Sequence, residues 1–204
     1  EIGTGEIDIL IGTQMVSKGL DFENVTLVGV VDADTRLYSI DFRAEERLAQ
    51  LLVQVAGRAG RGNKAGEVFV QTQKPENAVL RRIIDDGYDI YSKLALPERR
   101  EVGFPPYVAM ALVRAESKYP ERPTLFLTGV RKILQKECVN ADISFPIPAY
   151  MALRAGRVRA LLIVRAPVKV EIQNLLAACL DKIESLSKVV RIRWTIDVDP
   201  QETL

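Results

Sequence analysis

Two short runs in this chain are apolar at almost every position, and they restrict the fold more than any other feature. Ile7–Gly12 (IDILIG) ends in glycine, and Val25–Val31 (VTLVGVV) finishes in Asp32-Ala33-Asp34. Continuous rather than alternating apolar character is typical of strands buried on both faces of a parallel sheet. Gly66–Gln73 (GEVFVQTQ) reads as a third strand after the turn Gly62-Asn63-Lys64-Ala65. A helix starting near Arg43 lies before it, with Leu48, Leu51, Leu52, Val55 and Ala59 on one stripe. Glu76–Leu94 carries helix-like spacing divided by Gly87 and predicts two further helices. The first part of the chain is therefore expected to be α/β, an open, mostly parallel sheet with flanking helices.

The arginine helix closes on Gln54-Val55-Ala56-Gly57-Arg58-Ala59-Gly60-Arg61. At ~100° per residue, Gln54, Arg58 and Arg61 form a second stripe beside the leucines. One amide and two guanidiniums together suit the terminal phosphate of a nucleotide, because guanidinium forks match phosphate oxygens and stay charged. Two glycines in a helical pattern cost about 1 kcal/mol each relative to alanine, so close approach of a backbone or ligand is expected. On the residues alone, a solvated helix end with a Gly-rich exit fits equally well.

The segment between the first two runs, GTQMVSKGLDF from Gly12 to Phe22, sits where open α/β sheets place ligands, at the carboxyl end of a strand. Thr13 and Gln14 offer polar groups to a phosphodiester, Gly19 permits a sharp turn, and Asp21 can accept from a ribose hydroxyl. Gly57, Gly62 and Lys64 mimic a phosphate-binding Gly-rich loop, but the lysine is one place late and a strand follows rather than a helix. Asp32 and Asp34 are read as turn formers, and no metal is assigned.

Composition narrows the chemistry. The formal net charge is +1, so any nucleic-acid contact must come from local patches. Histidine is absent, which removes the commonest general base. Cys138 and Cys179 lie far apart and suggest neither zinc nor a redox pair. The chain has no apolar run long enough for a bilayer and no signal peptide, which predicts a cytoplasmic protein. Glu1-Ile2-Gly3-Thr4-Gly5-Glu6 leads straight into a strand without methionine, as expected of a piece of something larger.

Leu96–Pro106 combines charge, glycine and prolines and is expected to be a linker, dividing the chain into residues 1–102 and 103–204. The second part reads as strand Tyr107–Ala115, a helix opened by Pro123, a proline-interrupted edge strand Ile143–Ala149, strand Val158–Arg165, a long helix opened by Pro167, and alternating strand Val190–Asp199. The order β-α-β-β-α-β suggests a ferredoxin-like two-layer domain. Arg154, Arg157, Arg159 and Arg165 share a stretch without acidic residues and can hold DNA phosphates. On charge alone a solvated hairpin is the plainer reading.

QVAGRAGR resembles the sixth motif of superfamily 2 helicases, and GTQMVSKGLDF resembles the fifth in the form found in the primosomal (PriA, primosomal protein N′) family. The Asp41–Arg47 segment, the linker around Pro105-Pro106, Pro148-Ala149 with its basic hairpin, and Asp197-Val198-Asp199-Pro200 also look like that family. The resemblance implies the later part of a second RecA-like lobe followed by a DNA-binding C-terminal domain. It implies an ATP-driven 3′-to-5′ helicase that acts at stalled replication forks and loads the primosome. Arg61 would then be an arginine finger, assisted by Arg58 and Gln54. Gly19 and Asp21 would border the nucleotide, and Thr13, Gln14 and Lys18 would track DNA. ATP and Mg would be held mainly by a first lobe absent from this chain, so the chain alone would not hydrolyse ATP. Zinc is expected only in an insertion before Glu1. Implied partners are branched and single-stranded DNA, primosome proteins and single-stranded-DNA-binding proteins. The rival readings are another superfamily 2 translocase, or a non-enzymatic nucleic-acid-binding module carried by residues 103–204.

Overall fold

The computed structural model of the chain describes residues 7–13, 25–39, 41–57, 59, 66–138 and 140–201. They divide into two compact α/β units, Glu1–Leu96 and Pro97–Leu204. No described helix is long and apolar enough to cross a membrane.

The first unit contains β1 (Leu27–Val30), α1 (Asp34–Leu37), α2 (Ala44–Ala56), β2 (Glu67–Val70) and α3 (Ala78–Glu101), the last turns of α3 counting with the second unit. β1 and β2 pair in parallel with Val28 opposite Val68 and Val30 opposite Val70. Val30 and Val70 pack against a core of Ala33, Leu37, Leu48, Ala49, Leu52, Leu80, Ile83 and Tyr91. The expectation of strands buried on both faces is not met, since Leu27 and Phe69 on the opposite face are 57% and 60% exposed. Ile7–Gly12 is not a strand either, and Ile9 and Ile11 are 79% and 90% exposed. A run apolar on both sides needs hydrogen-bonded neighbours and two covering layers. Among the described residues, this unit's sheet has only β1 and β2.

α3 begins where the Asn77 side chain accepts hydrogen bonds from the N–H groups of Val79 and Leu80, at 2.9 and 3.1 Å. It breaks at Gly87 (φ 79°, ψ 177°), giving the two helices expected there. The linker anticipated from Leu96 is instead helix as far as Glu101, with Pro97 inside it. The helix ends in a Schellman closure: Phe104 N–H donates to the Arg99 carbonyl at 2.8 Å and Gly103 N–H to that of Arg100 at 3.3 Å. Gly103 takes the left-handed φ of 64° that this closure demands and that favours glycine.

The second unit continues with β3 (Ala109–Ser117), α4 (Glu121–Glu137), β4 (Asp142–Ile143), β5 (Ile147–Arg154), β6 (Arg157–Ala166), α5 (Lys169–Val190) and β7 (Arg193–Val198). Its antiparallel sheet runs β4-β6-β3-β7, with β5 also on β6. Alternate residues Ala111, Val113 and Ala115 of β3 and Ala160, Leu162 and Val164 of β6 meet Phe126, Val130 and Leu134 of α4 and Ile172, Cys179 and Ile183 of α5. The single edge strand expected over Ile143–Ala149 is split. At the break, Ser144 Oγ accepts the Ile163 N–H at 2.9 Å, replacing a ladder bond. Val190, expected to open the last strand, ends α5 instead; it continues the helical spacing of Ile183 and Leu186 onto the core. Arg191, at φ 55°, turns the chain, and Ile192, Trp194, Ile196 and Val198 then alternate inward as expected.

The strand-end acids act as turn formers. Asp32 accepts from Thr35 N–H at 3.3 Å and from Thr35 Oγ1 at 2.5 Å. Asp34 accepts from Thr72 Oγ1 at 2.6 Å and from Gln73 N–H at 2.8 Å, fastening the end of β1 to the end of β2. These two hydrogen bonds hold the Asp34 carboxyl below the ordinary aspartate range. A carboxylate depressed by folding stabilises fully above its unfolded pKa, and that contribution is lost as pH falls through the lower folded value. The protection of the Gln73 amide, its exchange relative to the intrinsic rate at each pH, should therefore fall on acidification, and Asp34→Asn should remove most of that loss.

Phe126 is fully buried, with its ring centroid 6.0 Å from that of Trp194. Phe126→Ala should cost about 3–5 kcal/mol. The loss is measurable as a lower urea midpoint followed by the fluorescence of Trp194, the chain's one tryptophan.

Candidate functional site

α2 positions the candidate phosphate-facing residues. Its entry is set by Asp41, which is buried, accepts the Arg43 N–H at 3.0 Å and pairs with Arg47 Nη1 at 3.1 Å. Glu45 and Glu46 occupy the first turn, where the helix dipole favours negative charge. Leu48, Leu52 and Val55 are buried and fix the rotation of the helix, while Leu51 is half-buried at the stripe's edge. Gln54 stands half-buried on the last turn. The regular helix ends at Ala56, and beyond it Ala59 N–H donates to the Val55 carbonyl at 3.1 Å.

Arg58, Gly60 and Arg61 lie outside the described residues, as do Gln14, Lys18, Gly19 and Asp21. Thr13 is described and exposed, outside any strand. The close approach expected at the helix glycines is not found at Gly57 among the described residues. Its φ is −69°, and an added Cβ would meet only its own helix carbonyls, at 3.5 and 3.8 Å.

The basic hairpin is well formed. β5 and β6 join through Ala155-Gly156, whose φ values of 49° and 70° are those of a type I′ turn matched to strand twist. Arg154 lies directly across from Arg157. Like charges in that relation disfavour the pair until an anion relieves them. Arg157, Arg159 and Arg165 share one side of β6, opposite the helices, because they alternate with the core residues Ala160, Leu162, Val164 and Ala166.

Arg165 does not belong to this patch. It lies eight residues from Arg157 along the strand, roughly 27 Å at 3.4 Å per residue. Its guanidinium pairs with Asp142 at 2.5 Å and donates to the Val102 and Gly103 carbonyls at 3.3 Å. It is a structural clasp.

The fold adds cations that a linear reading scatters. Glu116 of β3 is in register with Arg159 on β6 and with Arg193 on β7. The end of α5 brings Lys188 and Arg191 to the same place. Together Glu116, Ser117, Arg157, Ser187, Lys188, Arg191, Ile192 and Arg193 line an open cleft of about 450 Å³. Only the alternation of Arg191 and Arg193 hinted at it in the sequence; the register of three strands was needed to place them beside Arg157.

Residues 100–201 match the primosomal protein N C-terminal domain, and residues 1–63 match the helicase conserved C-terminal domain. The chain is 39% identical over 203 residues to the replication restart protein PriA of Haemophilus influenzae, covering 99% of this chain and 28% of that protein. It is 34% identical over 199 residues to that of Bacillus subtilis, covering 97% of this chain and 25% of that protein. For that of Synechocystis sp. the figures are 35% over 200 residues, 96% and 23%. The chain thus spans about a quarter of the length of these curated relatives.

Proposed function

The chain belongs to the primosomal protein N C-terminal domain family, and from that membership we propose that it is part of an ATP-dependent 3′-to-5′ DNA helicase that recognises stalled replication forks and initiates primosome assembly in the cytoplasm. The observation that carries this reading is the joining, on one chain, of a helicase conserved C-terminal match over residues 1–63 to the primosomal match over 100–201. On this reading residues 1–102 are the later part of a RecA-like lobe. Residues 103–204 are a ferredoxin-like DNA-binding domain, which the antiparallel order β4-β6-β3-β7 beneath two packed helices supports.

Gln54 hydrogen-bonds the terminal phosphate, Arg58 holds it, and Arg61 stabilises the charge that develops when the phosphoryl group transfers. An amide and two guanidiniums suit phosphate oxygens rather than a metal ion. ATP with Mg supplies the transferable phosphoryl group when bound, and we assign most of its contacts, and any zinc, to parts of a longer protein. Gly19 and Asp21 border the nucleotide, and Thr13, Gln14 and Lys18 follow the DNA backbone. Arg154, Arg157 and Arg159 hold phosphates of branched or single-stranded DNA. Primosome proteins and single-stranded-DNA-binding proteins are its protein partners. No Gly-x-x-x-x-Gly-Lys loop occurs in these 204 residues, so the chain by itself binds DNA without hydrolysing ATP.

In the full-length protein, Arg61→Ala should lower DNA-stimulated ATP hydrolysis by about 10³–10⁵-fold, the usual weight of an arginine finger. Fork binding, measured by anisotropy, should stay nearly intact. Equal loss of both would make Arg61 structural and defeat the assignment.

A further inference from the structure

One carboxylate sits inside the basic cleft at the end of the second unit's sheet. Glu116 Oε1 lies 3.8 Å from Arg157 Nε and 3.7 Å from Arg193 Nη1, so a single oxygen is shared by two guanidiniums. Both separations are beyond good hydrogen-bond length, and neither guanidinium closes a fork on it. Lys188 and Arg191 line the same cleft with no acidic partner among the described residues. Four cations thus face one carboxylate. Their position at the carboxyl end of α5 partly offsets their mutual repulsion, because the last carbonyls there carry partial negative charge. Arg157 also faces Arg154 across the hairpin, which makes the cleft and the hairpin tip one continuous basic surface.

We infer that Glu116 occupies the seat of a phosphate group and competes with the nucleic-acid backbone for Arg157 and Arg193. The inference rests on the reading that this unit binds DNA and adds how that binding is held in check. With the cleft empty, the carboxylate keeps the two guanidiniums poised and lowers the local potential. An incoming phosphodiester offers shorter, charge-assisted hydrogen bonds to both arginines and displaces the carboxylate, while Lys188 and Arg191 take the neighbouring phosphate. Removing the carboxylate strengthens binding, because the anion no longer has a rival.

The probe is a short oligothymidylate titrated against the whole chain by fluorescence anisotropy over a series of salt concentrations. Glu116→Gln keeps the shape of the side chain and should tighten binding roughly three- to tenfold, as expected from two long, partly exposed ion pairs. Arg193→Gln and Arg191→Gln should each weaken binding and reduce the slope of log affinity against log salt by about one. Combined with Arg157→Gln and Arg193→Gln, Glu116→Gln should gain little. Unchanged affinity in Glu116→Gln, or an equal gain in that combined background, overturns the competition. In that case a loss of affinity in Arg154→Gln and Arg159→Gln would still uphold the hairpin as a DNA contact, whereas no loss in either would defeat that reading separately. Inorganic phosphate should compete only at concentrations far above those of the oligonucleotide. If it displaces the oligonucleotide at comparable concentration, the cleft is a free-phosphate site and the inference fails.

Discussion

Strand β3 is hydrogen-bonded along both edges, to β6 over nine residue pairs and to β7 over six. Met110 to Val113 within it are also sealed from water. The side-chain period of two then permits a single register, because a slip of one residue would turn Ala111, Val113 and Ala115 away from the helices and press Arg114 and Glu116 against them. The same register delivers Glu116 to Arg159 on one side and to Arg193 on the other. Core packing and surface electrostatics in this unit are therefore set by one decision, made in the burial of β3.

In the first unit the comparable constraint is a buried charge. Asp41 has almost no exposed surface, and a carboxylate in that position is tolerable only with partners. The Arg43 N–H and the Arg47 guanidinium provide them. Their geometry fixes the residue at which α2 begins, and the buried leucines fix its rotation. Gln54, one turn before the glycine exit, inherits its place from both. A further tie runs from α2 to α3, where Tyr88 Oη donates to Glu46 at 3.1 Å and accepts from Gln50 at 3.2 Å.

The long helices were legible because their apolar spacing is strong: Leu48, Leu52 and Val55, or Ile172, Cys179 and Ile183, allow one buried face, whereas the single turn Asp34–Leu37 is too short to show a period. The alternation through Trp194 and Ile196 was equally plain. Ile7–Gly12 misled because an apolar run states a preference for burial and cannot state that pairing neighbours are at hand. Val190 misled because it satisfies the helical spacing of α5 and the alternation of β7 together. Arg165 looked like its basic neighbours in sequence, and only the fold shows that its guanidinium serves Asp142 and the Val102 and Gly103 carbonyls. The basic cleft was illegible for the same reason, since its members come from three strands and a helix and are separated by up to 77 positions (Glu116 to Arg193). Of the candidate phosphate-facing set, the order of residue types in the motif was readable, and the described structure places Gln54 alone.

The interrupted margin of the second sheet bears on how the unit behaves at high concentration. β4 and β5 share the outer side of β6, with Pro146 and Pro148 at their junction and a register shift before Leu153. Proline offers no donor, and a kinked border cannot template another strand. Growth of the sheet by a visiting chain is thereby confined to the far margin at β7, where the exposed Arg193 of a second copy added in parallel register would arrive beside its own counterpart and be repelled. In the second unit's sheet a broken rim on one flank and like charge on the other both oppose extension by a parallel copy.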